Sequence, residues 1–135
     1  MCEDFQGYFR VADKLNTRIV GGEKHFTRYD LRPFFENPKI AILNPDVMRG
    51  GFTELRKIAA LADTWGLTIS PHLAHELMVH VMASIPNGLI LEYMDFLDDV
   101  WVEPVLPQGP LVRAPERPGH GMAFKEGILK EYGVM

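Results

Sequence analysis

Only one cysteine, Cys2, occurs in the 135 residues, so no internal disulfide can close, and a reducing, cytoplasmic setting is expected. Surplus basic charge is also missing. Fourteen Lys and Arg stand against 18 Asp and Glu, and a net charge of −4 leaves no footprint for nucleic acid. No apolar run approaches the roughly 18 residues of a membrane-spanning helix, so no membrane partner is expected. The opening Met1-Cys2-Glu3-Asp4 is acidic and lacks the basic and apolar regions of a signal peptide. Gly21-Gly22 and Gly50-Gly51 lack the spacing of a dinucleotide fingerprint, and no linker composition divides the chain. What remains is 47% apolar and 24% charged, the composition of one ordinary folded domain over residues 1–135.

Apolar spacing alternates between two periods along the chain. Phe5, Phe9, Ala12 and Leu15 fall near helical spacing, with Asp4 as the expected N-cap. Arg18 to Gly22 reads as a short strand closed by glycines. Thr27-Arg28-Tyr29-Asp30 resembles a capping box opening a helix through Leu31, Phe34 and Phe35, with Asn37-Pro38 as its stop. Lys39 to Asn44 is apolar on both faces, the mark of a buried parallel strand. Thr53 is the expected cap of a helix carrying Leu55, Ile58, Ala59 and Ala62 inward, with Gly66 at its C′ position. Leu67 to Ser70 is a third strand, His75 to Ile85 a helix stopped by Pro86-Asn87-Gly88, and Leu89 to Leu91 a fourth strand. The strand starts are about 20 to 30 residues apart, the length of a βα unit, which implies a parallel α/β sheet with right-handed crossovers.

From about Val100 the pattern changes. Pro104, Pro107, Pro110, Pro115 and Pro118 predict an extended, irregular stretch before a last helix near Lys125 to Tyr132. The chain is therefore divided into βα units over about 1–103 and a tail over about 104–135. Four parallel strands leave two edges without partners, so the chain is expected to form part of something larger.

In parallel α/β proteins the loops after the strands open together on one face and carry the binding groups. Reading each strand to its end gives Glu23, Asp46, His72 and Glu92. A carboxylate beside a histidine on the next strand suits a general base: Asp46 accepts one imidazole N–H, and the other nitrogen of His72 takes a substrate proton. Glu23 suits a hard cation such as magnesium through oxygen. A protonated Glu92 suits hydrogen bonding to charge developing on a substrate oxygen. His75 is a candidate supporting or substrate contact, His80 a packed or surface residue, and Met78 and Met82 core filler. His72 and His75 have an i, i+3 spacing, but Pro71 sets His72 outside the helix and weakens a zinc reading.

The series Gly21-Gly22-Glu23, Asn44-Pro45-Asp46-Val47, Gly50-Gly51-Phe52-Thr53-Glu54, Ser70-Pro71-His72 and Leu91-Glu92-Tyr93 resembles the enolase superfamily, closest to its mandelate racemase branch with the acid-sugar dehydratases. The tail Ala114-Pro115-Glu116-Arg117-Pro118-Gly119-His120-Gly121 is similar to that branch's C-terminal signature, and His25-Phe26-Thr27-Arg28-Tyr29 to sugar-acid dehydratases of the rhamnonate kind. The resemblance implies the C-terminal half, strands five to eight, of a modified (β/α)8 barrel. It implies that Glu23 is the third of three carboxylate ligands to Mg2+, that Asp46 and His72 form the proton-transfer dyad, and that Glu92 hydrogen-bonds a substrate carboxylate oxygen. The implied activity is that of a magnesium-dependent dehydratase or racemase, which removes the proton beside the carboxylate of a sugar acid to give a metal-stabilised enediolate.

The family's capping domain, its lysine-bearing second strand and its first two metal ligands have no counterpart in these residues. The chain is expected to begin just after the strand carrying the second ligand. A complementary N-terminal half, or self-association through an open sheet edge, is the expected macromolecular partner. The competing readings are a non-catalytic truncated homologue serving as an interaction or remnant module, and a domain that binds a carboxylate or sugar without chemistry.

Overall fold

The structure is a computed structural model describing residues 3–37 and 39–133. Cys2 and Pro38, on which two expectations rested, lie outside the described residues. Helix α1 spans Phe5–Lys14, and Asp4 caps it by accepting the Gly7 N–H at 2.8 Å, as the sequence suggests. Strand β1 is Val20–Gly21, helix α2 Arg32–Glu36 and strand β2 Ile42–Leu43. Helix α3 is Val47–Thr64, strand β3 Thr68–Ile69 and helix α4 His75–Ser84. A 3-10 helix covers Asp95–Val100 and a short α5 covers Ile128–Tyr132.

The three strands pair in parallel in the order β1-β2-β3, forming an open sheet of an α/β fold. The expected fourth strand is realised as a single parallel bridge, Ile69 to Gly88, followed by an extended segment whose Leu89 N–H reaches Ile69 O at 2.8 Å. Asn87 explains this placement: its buried amide donates to Ala59 O and Leu67 O, both at 3.0 Å, tying the turn to α3 and the start of β3. β1 stays an edge strand, with Val20 44% exposed.

Two boundaries differ from the expectations. Asp46, not Thr53, caps α3, because the helix starts at Val47 and is kinked at Gly51, whose φ of 67° no other residue type adopts cheaply. Thr27 and Asp30 do form reciprocal side-chain to backbone bonds, but they close a turn that precedes α2. The proline-rich tail is irregular yet anchored, since Trp101 bridges Phe124 antiparallel and stacks on its ring at 4.5 Å. At the end of α3, Leu67 N–H bonds Ala62 O and Gly66 N–H bonds Asp63 O, with Gly66 at φ 70°, the closure expected of a C′ glycine.

Two apolar clusters hold these layers. Leu31, Phe34, Ile40, Leu43, Ile58, Leu67 and Ile69 are fully buried or nearly so between the sheet and the helices α1 to α3. Val47, Leu55, Met78 and Val81 join α3 to α4, with Ala74 and Leu91 packed against them. Among the described residues, no helix is long and apolar enough to cross a membrane.

Candidate active site

Glu23, Asp46 and His72 each follow a strand, and the ladder itself brings them together. Gly22 follows β1 at φ 126°, and a Cβ there would meet the Leu31 Cδ2 at 3.2 Å, so a glycine turns the chain toward Glu23. Beyond β2 and β3 the parallel pairing continues as a bridge between Asp46 and His72, with His72 N–H on Pro45 O at 3.2 Å. That bridge sets the two side chains abreast.

His72 stands between two carboxylates. Its Nδ1 is 3.4 Å from Asp46 Oδ2, and its Nε2 is 3.5 Å from Glu23 Oε2. Asp46 is 8% exposed at its side chain, and its other oxygen accepts the Met48 N–H at 2.8 Å. One residue thus starts α3 and orients the imidazole, because a proton on Nδ1 directed at Asp46 leaves Nε2 on the side of Glu23. Arg49 adds positive charge, its Nε 3.9 Å from Asp46 Oδ2 and its guanidinium over the Phe26 ring. Glu23 is the most open of the three at 37% side-chain exposure, and Lys24 Nζ lies 3.2 Å from its Oε1. Glu92 joins the group through the backbone: its Oε2 accepts the Leu73 N–H at 2.7 Å. This bond engages one of the two Glu92 oxygens as an acceptor.

The loop that carries Glu23 is pinned from behind. Arg28 donates its backbone N–H to Glu54 at 2.9 Å and its guanidinium to both Glu54 oxygens at 2.8 Å. The Arg28 backbone N–H, followed by its side chain, holds the Glu54 carboxyl below its usual range, against an opposing effect of burial. The two sequence stretches carrying Arg28 and Glu54 thus meet directly. A cleft of about 550 Å³ lined by Tyr8, Ile19, Gly22, Glu23 and His25 lies between α1 and the loop after β1, and of the four site residues only Glu23 lines it.

His75 does not reach this site. It is 1% exposed, and its Nε2–H donates to Val105 O at 3.1 Å, so neither a substrate contact nor a His72–His75 zinc pair is formed. His80 donates to His120 O at 3.0 Å, away from the site. The sequence reading missed the network around His75. His75, Glu76 and Asp98 place one ligand-type atom each within 4.8 Å. Their hydrogen bonds are largely committed elsewhere: Glu76 accepts the Trp101 indole N–H at 3.0 Å, and Asp98 accepts the Tyr93 hydroxyl. Glu76 approaches Nδ1 of His75 while Asp98 approaches Nε2, each at 3.7 Å. The cluster ties the tail to α4. Asp98, Trp101 and Val105 lie more than 20 residues beyond His75 and Glu76 without periodicity, which leaves no local signal.

Magnesium finds an incomplete donor set. Glu23 is a carboxylate of the right chemistry at the mouth of the site, but one carboxylate does not strip a magnesium ion of enough water to hold it tightly.

Comparison with known proteins agrees with this fold. Residues 1–128 match the family model described as enolase C-terminal domain-like. The chain is 35% identical over 124 residues to 3,6-anhydro-alpha-L-galactonate cycloisomerase of Streptomyces coelicolor, covering 90% of this chain and 34% of that protein. It superposes on L-talarate dehydratase from Polaromonas sp. JS666, solved with Mg and L-glucarate, with a TM-score of 0.84 and 29% identity, covering 94% of this chain and 36% of that one. A Streptomyces coelicolor racemase with bound magnesium gives a TM-score of 0.85 at 34% identity, covering 92% and 34%. The chain spans about a third of the length of the curated relatives it matches.

Proposed function

Because the chain belongs to the enolase C-terminal domain-like family, we propose that it is the C-terminal part of a magnesium-dependent acid-sugar dehydratase or racemase, built as strands five to eight of a (β/α)8 barrel. The observation that supports this most is His72 held between Asp46 and Glu23 at 3.4 and 3.5 Å, at the end of the sheet where a parallel fold gathers its chemistry.

In this reading His72 is the base. Asp46 accepts its Nδ1–H, fixes the tautomer and stabilises the imidazolium that forms, so that Nε2 takes the proton next to the substrate carboxylate. The Cα–H electrons move into the carboxylate, giving an enediolate. In a dehydratase the imidazolium returns its proton to the β-hydroxyl, which leaves as water; in a racemase a base on the other face returns a proton to carbon. Magnesium, when bound by Glu23 with carboxylates from the rest of the barrel, supplies the positive charge that neutralises the enediolate. Glu92 lies on the same face, next to the backbone that follows His72.

The test is a panel of sugar acids in heavy water with magnesium, using this chain with the upstream two-thirds of the fold supplied on the same or a separate chain. Deuterium at the carbon beside the carboxylate, or loss of water, is the expected result. Neither, across the panel, overturns the proposal. The competing reading is a non-catalytic module that keeps site residues without use. That reading requires no magnesium-dependent thermal shift in the same assembly.

A further inference from the structure

Two non-glycine residues have positive φ among the described residues, and they are consecutive: Leu73 at 50° and Ala74 at 44°. Both are left-handed, a conformation in which Cβ crowds the following carbonyl, and neither is Asn or Asp. They form the whole connection between His72 and the first residue of α4. The chain leaves the sheet at His72, whose N–H is still bound to Pro45 O, and reverses within two residues so that Ala74 O accepts the Leu77 and Met78 N–H groups at 2.9 Å. Ala74 caps α4 with no side-chain oxygen. Strain of this kind persists only where neighbours hold it.

The holding group is Glu92. Its Oε2 accepts the Leu73 N–H at 2.7 Å across 19 residues, the short contact of a carboxylate acceptor. Glu92 is delivered there because Leu91, the residue before it, packs with Ala74 against Val47, Leu55, Met78 and Val81. We infer that Glu92 is a positioning residue of the proton-transfer pair: by accepting the Leu73 N–H it keeps Leu73 and Ala74 left-handed, and so keeps the His72 ring between Asp46 and Glu23. This rests on His72 being the base, and it assigns Glu92 a role before any substrate arrives.

The experiment needs no substrate. The full 135-residue chain, labelled with 15N, is followed by amide hydrogen exchange at Leu73 and by the ring nitrogen signals of His72. In the unaltered chain Leu73 exchanges slowly, and His72 shows the tautomer with the proton on Nδ1. Glu92→Ala is expected to speed Leu73 exchange at least about tenfold and to remove the tautomer preference, with the Val81 amide deeper in α4 unchanged. Glu92→Gln, whose amide oxygen still accepts, retains both signals. Ala74→Gly in the Glu92→Ala background restores the tautomer preference, because glycine holds the left-handed conformation without help. Equal Leu73 exchange with and without the Glu92 carboxylate, or an unchanged tautomer in Glu92→Ala, overturns the inference. Should Glu92→Ala fail to fold, unprotected exchange of Leu73 in the unaltered chain overturns it equally, and protection that Glu92→Gln retains supports it. These signals also separate the two claims: intact positioning with no deuterium uptake by any sugar acid defeats the proposed reaction alone.

Discussion

Asp46 carries two duties that substitution can pull apart. One oxygen caps α3 on the Met48 N–H at 2.8 Å, and the other faces His72 Nδ1 at 3.4 Å. The kink at Gly51 leaves the stretch from Val47 as scarcely more than one turn, so its start depends on that cap. Asp46→Ala removes both bonds. Losing a cap costs about 1 kcal/mol, and the hydrogen bond to His72 contributes about another 0.5–1 kcal/mol, offset in part because a largely buried carboxylate also disappears. A net loss of about 1–2 kcal/mol is expected, which lowers the melting temperature by about 4 °C per kcal/mol for a chain of this size. Asp46→Asn keeps an oxygen for the Met48 N–H, since Asn caps as well as Asp, and should cost within about 0.5 kcal/mol. Its amide N–H₂ now meets Nδ1, which must become an acceptor, and the His72 proton moves to Nε2. Urea denaturation measures the first effect, and 15N signals of the imidazole measure the second. Equal destabilisation by Ala and Asn would refute the capping argument, and an unchanged tautomer in Asp46→Asn would refute the Asp46–His72 contact.

Three further outcomes follow from other parts of the molecule. Phe34 is fully buried, with Phe5, Tyr8, Phe9 and His25 edge-on or tilted around it at 4.9–6.3 Å, so Phe34→Ala is expected to cost about 3–5 kcal/mol in urea denaturation. A loss below about 1 kcal/mol would remove this cluster from the core. Glu54 titrates below its ordinary value of 4.5, so its contribution to stability is complete above that pH and is lost as pH falls through the lower folded value. Glu54→Gln should therefore flatten the acid limb of the stability curve, and an unchanged limb would contradict the Arg28 contact. The Tyr93 phenol is pushed up from 10.0 to about 12, first by its hydrogen bond to Asp98. Its contribution is present below pH 10 and is lost as pH rises through about 12, a step that Asp98→Asn should move downward in an ultraviolet titration.

Much of this arrangement is legible locally. The two-faced apolar run around Ile42 and the glycine at 66 depend on neighbours in sequence, and both are realised as the pattern implies. The four site residues are legible for a similar reason: parallel strands put their carboxyl ends on one face, so reading each strand to its end finds the same layer. What is not legible depends on long-range closure. Nothing local distinguishes Asp46 from Thr53 as the cap of α3, because both precede helical sequence and only the Asp46–His72 bridge decides. The fourth strand shrinks to one bridge at Gly88, beside an Asn87 amide held by Ala59 O and Leu67 O, partners far away in sequence. The left-handed Leu73-Ala74 pair contradicts local preference, and the carboxylate that holds it lies 19 residues away. Likewise His75 faces Val105, Glu76 and Asp98 rather than the site, a direction set by the docked tail.

The most direct test of the account is deuterium wash-in at the carbon beside a sugar-acid carboxylate, in a magnesium-loaded assembly containing the rest of the barrel, with His72→Asn run alongside. The account predicts incorporation in the parent assembly and its loss, by a factor of about 10²–10⁴, when His72 is replaced. Incorporation that survives the replacement within a few-fold would contradict it.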